Sequence, residues 1–160
     1  QGVKRPYTNT FPINMVPVSK QKGRKAERQK GRKANMSQYV KKVEELLVFE
    51  RAYKISLDIH KVSLLLPKIE QYALADQIRR ASKSICANLA EGFTKQVGSK
   101  KEFRNYILIS MGSSDEMRIW IKYCKDLAYF TEEQATTFIE NYQEISKMLK
   151  SLYNSVSQQI

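Results

Sequence analysis

Few side chains in this sequence are of the types that do catalytic or metal chemistry. His60 is the only histidine, and Cys86 and Cys124 are the only cysteines. Because a metal site needs clustered ligands and these residues are spread along the chain, the sequence predicts no metal site and no cofactor. The chain also contains neither a Glu-x-x-His pair nor a glycine-rich phosphate loop, so a di-iron centre and a nucleotide site are not indicated.

A second group consists of hydrogen-bonding residues at or beside apolar positions. Asn88, Ser110 and Ser113 occupy positions in apolar helical seams, and Glu91 and Glu116 flank them. Buried polar groups need partners, so we predict a hydrogen-bonded junction that fixes helix register, as a lone Asn does in coiled coils. The alternative is a polar pocket or a pore-facing surface, in which the carboxylates could do acid-base chemistry. Since no nucleophile or metal ligand accompanies them, we predict that the protein is not an enzyme.

A third candidate site consists of basic residues. Its members are Arg79, Arg80, Lys83, Lys95, Lys100, Lys101 and Arg104. Three lie opposite the seam of one predicted helix, and four surround the loop that follows. Together they could form one patch that contacts phosphates without reading base sequence. The alternative is a solvated face, because Asp76 and Glu102 lie among these cations at helical pairing distances.

The formal net charge of +12 is unevenly distributed. Residues 1–35 hold ten Lys or Arg against one acid, Glu27, whereas residues 36–160 hold eighteen against fifteen. The basic segment also repeats Lys-Gly-Arg-Lys-Ala at 22–26 and 30–34. Such a segment cannot bury apolar area, so residues 1–36 are predicted to be a disordered, basic, low-complexity tail. It is either an arm that binds nucleic acid or an appended extension.

Residues 37–160 are predicted to form one all-α domain, an antiparallel up-down-up-down four-helix bundle. Apolar residues recur at helical spacing over about 38–66 and 73–92. Two further helices are predicted to begin at capping boxes that start with Ser99 and Thr131. The connecting segments are short, so consecutive helices must run antiparallel.

The apolar residues of these helices predict which faces are buried. The first helix carries two stripes, so we expect it to pack against two neighbours. These stripes are Ala52, Ile55, Ile59, Val62 and Leu66, and beside them Phe49, Tyr53, Leu57 and Leu64. The seam of the third helix is Phe103, Tyr106, Ser110, Ser113, Met117, Trp120, Cys124 and Leu127. Both cysteines are predicted to be reduced and buried.

Several segments resemble a known family. They are QIRRASKSICANLAEGF at 77–93, KEF at 101–103, MGSSDE at 111–116, and DLAY followed by TEE within 126–133. These segments are similar to those of the bacterial four-helix bundle proteins encoded in 23S rRNA intervening sequences, and the resemblance covers about 45–156. It implies a homopentameric ring of bundles with no established enzymatic activity and a suspected affinity for RNA. Cys86 departs from the pattern, since the family often has Pro there.

The resemblance leaves two functions open. The same fold and assembly occur in accessory proteins of diversity-generating retroelements, which associate with a reverse transcriptase and its RNA. The protein is therefore expected to be an RNA-binding homo-oligomer or, alternatively, an adaptor for a reverse transcriptase. A ring would repeat any basic patch and strengthen its field. No stretch approaches the ~20 apolar residues of a membrane span, so we expect a cytoplasmic protein with no membrane partner.

Overall fold

The computed structural model describes residues 40–160, and the predicted basic tail, residues 1–36, lies outside them. The helices are α1 (Leu47–Ser63), α2 (Leu74–Lys95), α3 (Lys100–Asp126) and α4 (Glu132–Ser157), with short 3-10 turns at Val43–Glu45 and Lys68–Glu70. No strand occurs within residues 40–160. The predicted all-α four-helix bundle is confirmed. None of the helices in this described part has the length and apolarity of a membrane span.

Consecutive helices run antiparallel, because contacts move backward along one helix as they move forward along the next. Arg79 and Lys83 of α2 contact Ser63 and His60 of α1, and Ser84 and Glu91 of α2 contact Ser113 and Tyr106 of α3. Lys83 of α2 lies 3.3 Å from the His60 ring of α1, and Ser84 donates to Ser113 of α3 at 2.6 Å. Ser114 of α3 donates to the Tyr142 carbonyl of α4 at 3.0 Å. A contact between α1 and α4 closes the bundle, whereas α1 and α3 occupy opposite corners and have no pair of Cα atoms within 8 Å.

The two ends of the bundle are distinct. At the proximal end α1 and α3 begin and α2 and α4 end; the distal end holds the connections 64–73 and 127–131. A hydrogen bond from the Tyr129 hydroxyl to Glu70, at 3.1 Å, joins the two distal connections.

Both predicted capping residues begin helices. The Ser99 hydroxyl accepts from the Glu102 amide at 3.3 Å. Thr131 and Gln134 form a complete capping box, in which each side chain accepts from the other residue's amide, at 3.1 and 2.9 Å. These bonds satisfy amides that the first helical turn leaves without partners.

The turn between α3 and α4 has the Schellman geometry with an alanine in place of the usual glycine. Ala128 has a φ of 59°, and the amides of Ala128 and Tyr129 donate to the Lys125 and Cys124 carbonyls, each at 2.8 Å. A left-handed residue other than glycine costs roughly 1–2 kcal/mol. The paired carbonyls at the end of α3 offset part of this cost.

The core consists of large side chains from all four helices. Those with essentially no exposed surface include Ile59, Ile78, Ile85, Leu89, Ile107, Met117, Ile121, Phe138, Tyr142, Ile145 and Leu149. Burial of this kind supplies roughly 1.5–3 kcal/mol per side chain before the entropy of ordering is subtracted.

The first helix is shorter than the predicted range 38–66. α1 begins at Leu47, because Leu46 has extended backbone (ψ 120°) that interrupts the helical hydrogen bonds. Upstream, the Lys41 amide donates to the Glu45 carboxylate at 2.8 Å, so a turn satisfies that amide. The helix ends at Ser63. Pro67 restricts the backbone of the residue before it, which disfavours continuation of the helix.

The prediction that both stripes of the first helix are buried is wrong. Tyr53, Leu57 and Leu64 of the second stripe are 52%, 43% and 58% exposed. A corner helix has two neighbours, α2 and α4, and these cover only the stripe that contains Ala52 and Ile59. The exposed residues on the outward side of this helix form a stripe that we call the α1 face. It consists of Glu50, Tyr53, Leu57, Lys61 and Leu64, all exposed.

The buried stripe of α3 differs from the predicted seam. Leu127 is 50% exposed, and Trp120 and Tyr106 are only half-buried. Contact with both α2 and α4 instead widens burial by one position at Ile107, Ser114 and Ile121. The opposite side forms a second outward stripe, the α3 face, which consists of Lys101, Asn105, Leu108, Gly112, Glu116, Ile119 and Tyr123, all exposed.

Candidate nucleic-acid interface and polar junction

The structure separates the seven predicted basic residues into two groups. Arg79 precedes Lys95 by sixteen residues on α2, so the two lie about 24 Å apart along the helix axis at 1.5 Å per residue. Arg79, Arg80 and Lys83 lie toward the distal end, whereas Lys95, Lys100, Lys101 and Arg104 surround the α2–α3 connection at the proximal end. The residues therefore do not form one patch.

Within the distal group, Arg79 stabilises the connection between α1 and α2. Its guanidinium donates to the Gln71 side chain at 3.1 Å, to the Gln71 carbonyl at 2.5 Å and to the Ser63 hydroxyl at 3.3 Å. Gln71 in turn donates to the carbonyls of Ser63 and Leu66, at 3.0 and 2.9 Å. Most of the guanidinium's hydrogen-bonding capacity is thus used within the chain.

We expect Arg79→Ala to lower the free energy of unfolding by about 1–3 kcal/mol, because it leaves partly buried acceptors without their charged donor. The adjacent Arg80→Ala is the matched control. Arg80 is exposed and its nitrogen lies 3.9 Å from Asp76, so its loss should change stability by less than about 0.5 kcal/mol. Urea denaturation of both variants measures the difference. Equal effects would show that the Arg79 hydrogen bonds add no stability.

Lys95 is also bound within the chain. Its ammonium donates to the Glu91 carboxylate at 2.8 Å and to the Tyr106 hydroxyl at 2.5 Å. The hydrogen bond to Lys95, followed by that to Tyr106, lowers the pKa of Glu91. The hydrogen bond to Glu91 in turn raises the pKa of Lys95. The pair is locally neutral, so Lys95 adds little positive field to the proximal end.

The remaining proximal cations are more available. Lys100 and Lys101 are exposed and form no ion pair within residues 40–160. They lie in the first turn of α3, where the helix dipole disfavours positive charge. Arg104 is half-buried; its guanidinium carbon lies 5.9 Å from the centroid of the Tyr153 ring, and its Nε has no hydrogen-bond partner in the described part of the chain.

Two residues of α4 join these cations and were not predicted from the sequence. The Lys150 ammonium lies 5.1 Å from the centroid of the same Tyr153 ring that Arg104 approaches. We call Lys100, Lys101, Arg104 and Lys150, with Tyr153, the proximal cluster. These two residues could have been predicted from the topology, because an antiparallel α4 must end beside the start of α3. Lys150 and Tyr153 are also one helical turn apart, so they lie on the same side of α4.

The predicted polar junction is present in part. Ser110 and Ser113 are buried between α2 and α3, where Ser110 donates to the Ile85 carbonyl at 3.2 Å and Ser113 accepts from Ser84 at 2.6 Å. Asn88 is half-buried and donates to the Ser84 carbonyl of its own helix at 2.7 Å. The bonds of Ser110 and Ser113 link α2 to α3 at positions where small side chains permit close packing, whereas the Asn88 bond stays within α2.

The two carboxylates do not belong to this buried group. Glu91 and Glu116 are exposed, and Glu116 accepts from the Trp120 indole at 2.9 Å. They therefore form no buried carboxylate pair. Ser114 and Ser146 lie outside the predicted junction; their hydroxyls bond to each other at 2.9 Å and connect α3 to α4.

The described residues offer no metal site. The two cysteine thiols have low reactivity. No group of three or more His, Cys, Asp or Glu side chains within residues 40–160 could hold a metal ion. Cys86 and Cys124 are free and buried, as predicted. Burial raises the pKa of Cys86 to about 11 and that of Cys124 to about 12. Both thiols are therefore protonated near neutral pH and poorly nucleophilic.

Comparison with known proteins places the fold in a family. Residues 44–151 match the family described as 23S rRNA-intervening sequence protein. The chain belongs to this family. The matched range of the 23S rRNA-intervening sequence protein runs from the first 3-10 turn into α4, and it includes Lys100, Lys101, Arg104 and Lys150.

A solved structure agrees with this assignment. The chain is similar to a crystal structure of a protein with unknown function from the S23 ribosomal protein family of Bacteroides thetaiotaomicron VPI-5482. The sequence identity is 25% and the TM-score is 0.60, over 67% of this chain and 98% of that chain. No curated protein matches the sequence. The family resemblance predicted from the sequence is thus confirmed.

Proposed function

We propose that this member of the 23S rRNA-intervening sequence protein family is a non-enzymatic, homo-oligomeric ring that binds RNA through the proximal cluster, and that the ring is pentameric. The observation that carries the RNA proposal is the collection of four cations at one end of the bundle. Two of them, Lys100 and Lys101, have no carboxylate partner among residues 40–160. Family membership supports the proposal, because the family's description names an intervening sequence of 23S rRNA.

Repetition of the cluster in an oligomer explains how only four cations per copy could bind RNA. One copy offers four cations, which would bind a few phosphates weakly and without base specificity. A cyclic assembly would repeat the cluster around one rim, so that a folded RNA meets several copies at once. The Tyr153 ring, already beside two cations, could also stack against an unpaired base.

The test removes three cluster charges while sparing the partly packed Arg104. We expect the triple variant Lys100→Gln, Lys101→Gln, Lys150→Gln to bind structured RNA at least about tenfold more weakly. The slope of log affinity against log salt should also fall by about 0.7–0.9 for each lost phosphate contact. Fluorescence anisotropy over a salt series measures both quantities.

The matched control changes three exposed lysines outside the cluster, as Lys68→Gln, Lys122→Gln, Lys147→Gln. It removes the same charge, so it should retain the parental slope and affinity within a few fold. Equal losses in both variants would contradict a localised site. Repeating the series with a chain that begins at Met36 tests the alternative that residues 1–35 carry the RNA affinity, which would then vanish in the shorter chain.

An adaptor for a larger protein is the second candidate function. The α1 and α3 faces favour it, because each exposes apolar side chains that nothing in the described chain covers. Gene context distinguishes the candidates at little cost. A location within a ribosomal RNA operon would support the RNA-binding ring, and a neighbouring reverse transcriptase gene would support the adaptor.

A further inference from the structure

Two unpartnered faces lie at opposite corners of the bundle. The α1 face is lined by Tyr53, Leu57 and Leu64, and the α3 face includes Leu108, Ile119 and Tyr123, which are 45–55% exposed. The residues of both faces are exposed on the folded chain, so neither face covers the other. Exposed apolar stripes on packed helices indicate contact with another molecule.

Gly112 lies at the centre of the α3 face, and packing within the chain does not explain it. A Cβ added there meets no atom within 4 Å, whereas one added at Gly92 would lie 2.5 Å from the Tyr106 Cβ. A glycine inside a helix costs roughly 1 kcal/mol relative to alanine. The bundle needs Gly92 for the close approach of α2 and α3. By the same reasoning, Gly112 suits the close approach of a helix from outside the chain.

The two faces match when their helices are placed side by side in the same direction. Both α1 and α3 run from the proximal to the distal end. If Leu57 is set against Gly112, the equal residue intervals place Tyr53 opposite Leu108 and Leu64 opposite Ile119. Apolar side chains then face one another along about three helical turns.

Charges agree with the same register. Lys61 follows Leu57 by four residues and Glu116 follows Gly112 by four, so opposite charges meet. An open concavity lined by Glu44, Phe49, Glu50 and Tyr53 lies at the start of α1, at the proximal end of the α1 face.

We propose that the α1 face of one copy packs in parallel against the α3 face of the next. This inference rests on the proposed self-assembly and specifies the surfaces that carry it. A contact between two different faces is head-to-tail, and repeating it produces a closed ring when the rotation closes. The parallel direction places every proximal cluster on the same rim.

The test introduces a pair of cysteines at exposed positions that should meet, Lys61→Cys and Glu116→Cys in one chain. Under mild oxidation we expect a ladder of covalent dimers, trimers and higher species on a denaturing gel. The native Cys86 and Cys124 are buried and should not contribute. Each single variant should remain monomeric on that gel, because in a head-to-tail contact position 61 never meets its own equivalent.

Register has its own control, the pair Lys61→Cys with Asn105→Cys. Position 105 lies on the same face as position 116 but eleven residues earlier, about 16 Å away along the axis. This pair should cross-link at least tenfold less. Gly112→Leu should lower the assembled mass measured by light scattering while the helix content is retained, because leucine favours helix but blocks close approach.

Three results would overturn the inference: efficient cross-linking of a single variant, equal cross-linking of both pairs, or no ladder in a chain that assembles. Light scattering of the parental chain separates this failure from failure of the proposed ring. A monomeric mass removes the ring and this contact together. An assembled mass without a ladder removes only the contact.

Discussion

Replacing Tyr142 by Ala is expected to lower the free energy of unfolding by about 3–5 kcal/mol, whereas Tyr142→Phe should leave it unchanged or raise it. Tyr142 has no exposed surface and lies in α4 where that helix meets α3. Removing its ring deletes a large buried side chain and leaves a cavity that the surrounding helices fill only in part.

The hydroxyl of Tyr142 accounts for the opposite expectation for phenylalanine. It makes no hydrogen bond of normal geometry within residues 40–160. Burial, ahead of the nearby Cys86, raises the pKa of Tyr142, while the Ser82 hydroxyl opposes that rise. Burying a hydroxyl without a hydrogen-bond partner costs desolvation free energy that nothing offsets. Phenylalanine has no hydroxyl, so the substitution removes this cost. Urea denaturation measures both variants. A loss above about 1 kcal/mol for Tyr142→Phe would show that Ser82 forms a stabilising hydrogen bond with it.

Gly92→Ala should also be destabilising, by about 1–3 kcal/mol. The added Cβ would lie 2.5 Å from the Tyr106 Cβ and 3.0 Å from Cδ2 of Phe103, so α2 and α3 would have to separate. This cost should exceed the roughly 1 kcal/mol that alanine contributes through helix propensity. Thermal unfolding at low protein concentration measures the net effect.

Gly112→Ala is the matched control, because it makes the same change in a helix with open space around the site. In the dissociated chain it should stabilise by up to about 1 kcal/mol, through helix propensity alone. Opposite signs at the two positions would establish that α2 and α3 meet closely at Gly92. If both substitutions stabilise the protein, α2 and α3 leave enough space at Gly92 for a Cβ atom.

Local signals in the sequence predicted the fold well. Ser99 and Thr131 mark the starts of α3 and α4, because a cap depends on residues only three positions apart. Antiparallel order followed from the short connections. Met117 and Cys124 of the predicted third-helix seam are buried as predicted, while Trp120 is half-buried.

Burial of the outer stripes could not be predicted from periodicity. Leu57 repeats at the same helical spacing as the core residues, and only the positions of neighbouring helices decide which stripe is covered. The same limit applies to α3, where contact with two helices widened the buried stripe. The spacing of apolar residues identifies the apolar faces of a helix. It does not show whether each face packs within the same chain or against another molecule.

The candidate site was predicted less completely because it depends on contacts between distant residues. Lys100, Lys101 and Arg104 were predicted together because they are close in sequence. Lys150 joins them only through the return of α4. The hydrogen bonds from Arg79 to Gln71 likewise require the folded α1–α2 connection. Residue type and spacing indicated where basic residues cluster. They did not indicate which of these residues form hydrogen bonds within the folded chain.

An even number of helices brings both ends of the described chain, Val40 and Ile160, to the proximal end, the end that also holds Lys100 and Lys101. An affinity tag or fluorescent fusion joined at either position would therefore emerge at the same end as the cations and could shield them. Immobilisation through a distal position such as Lys68, in the turn after α1, would leave that rim unobstructed. Surface-based binding measurements should be oriented accordingly.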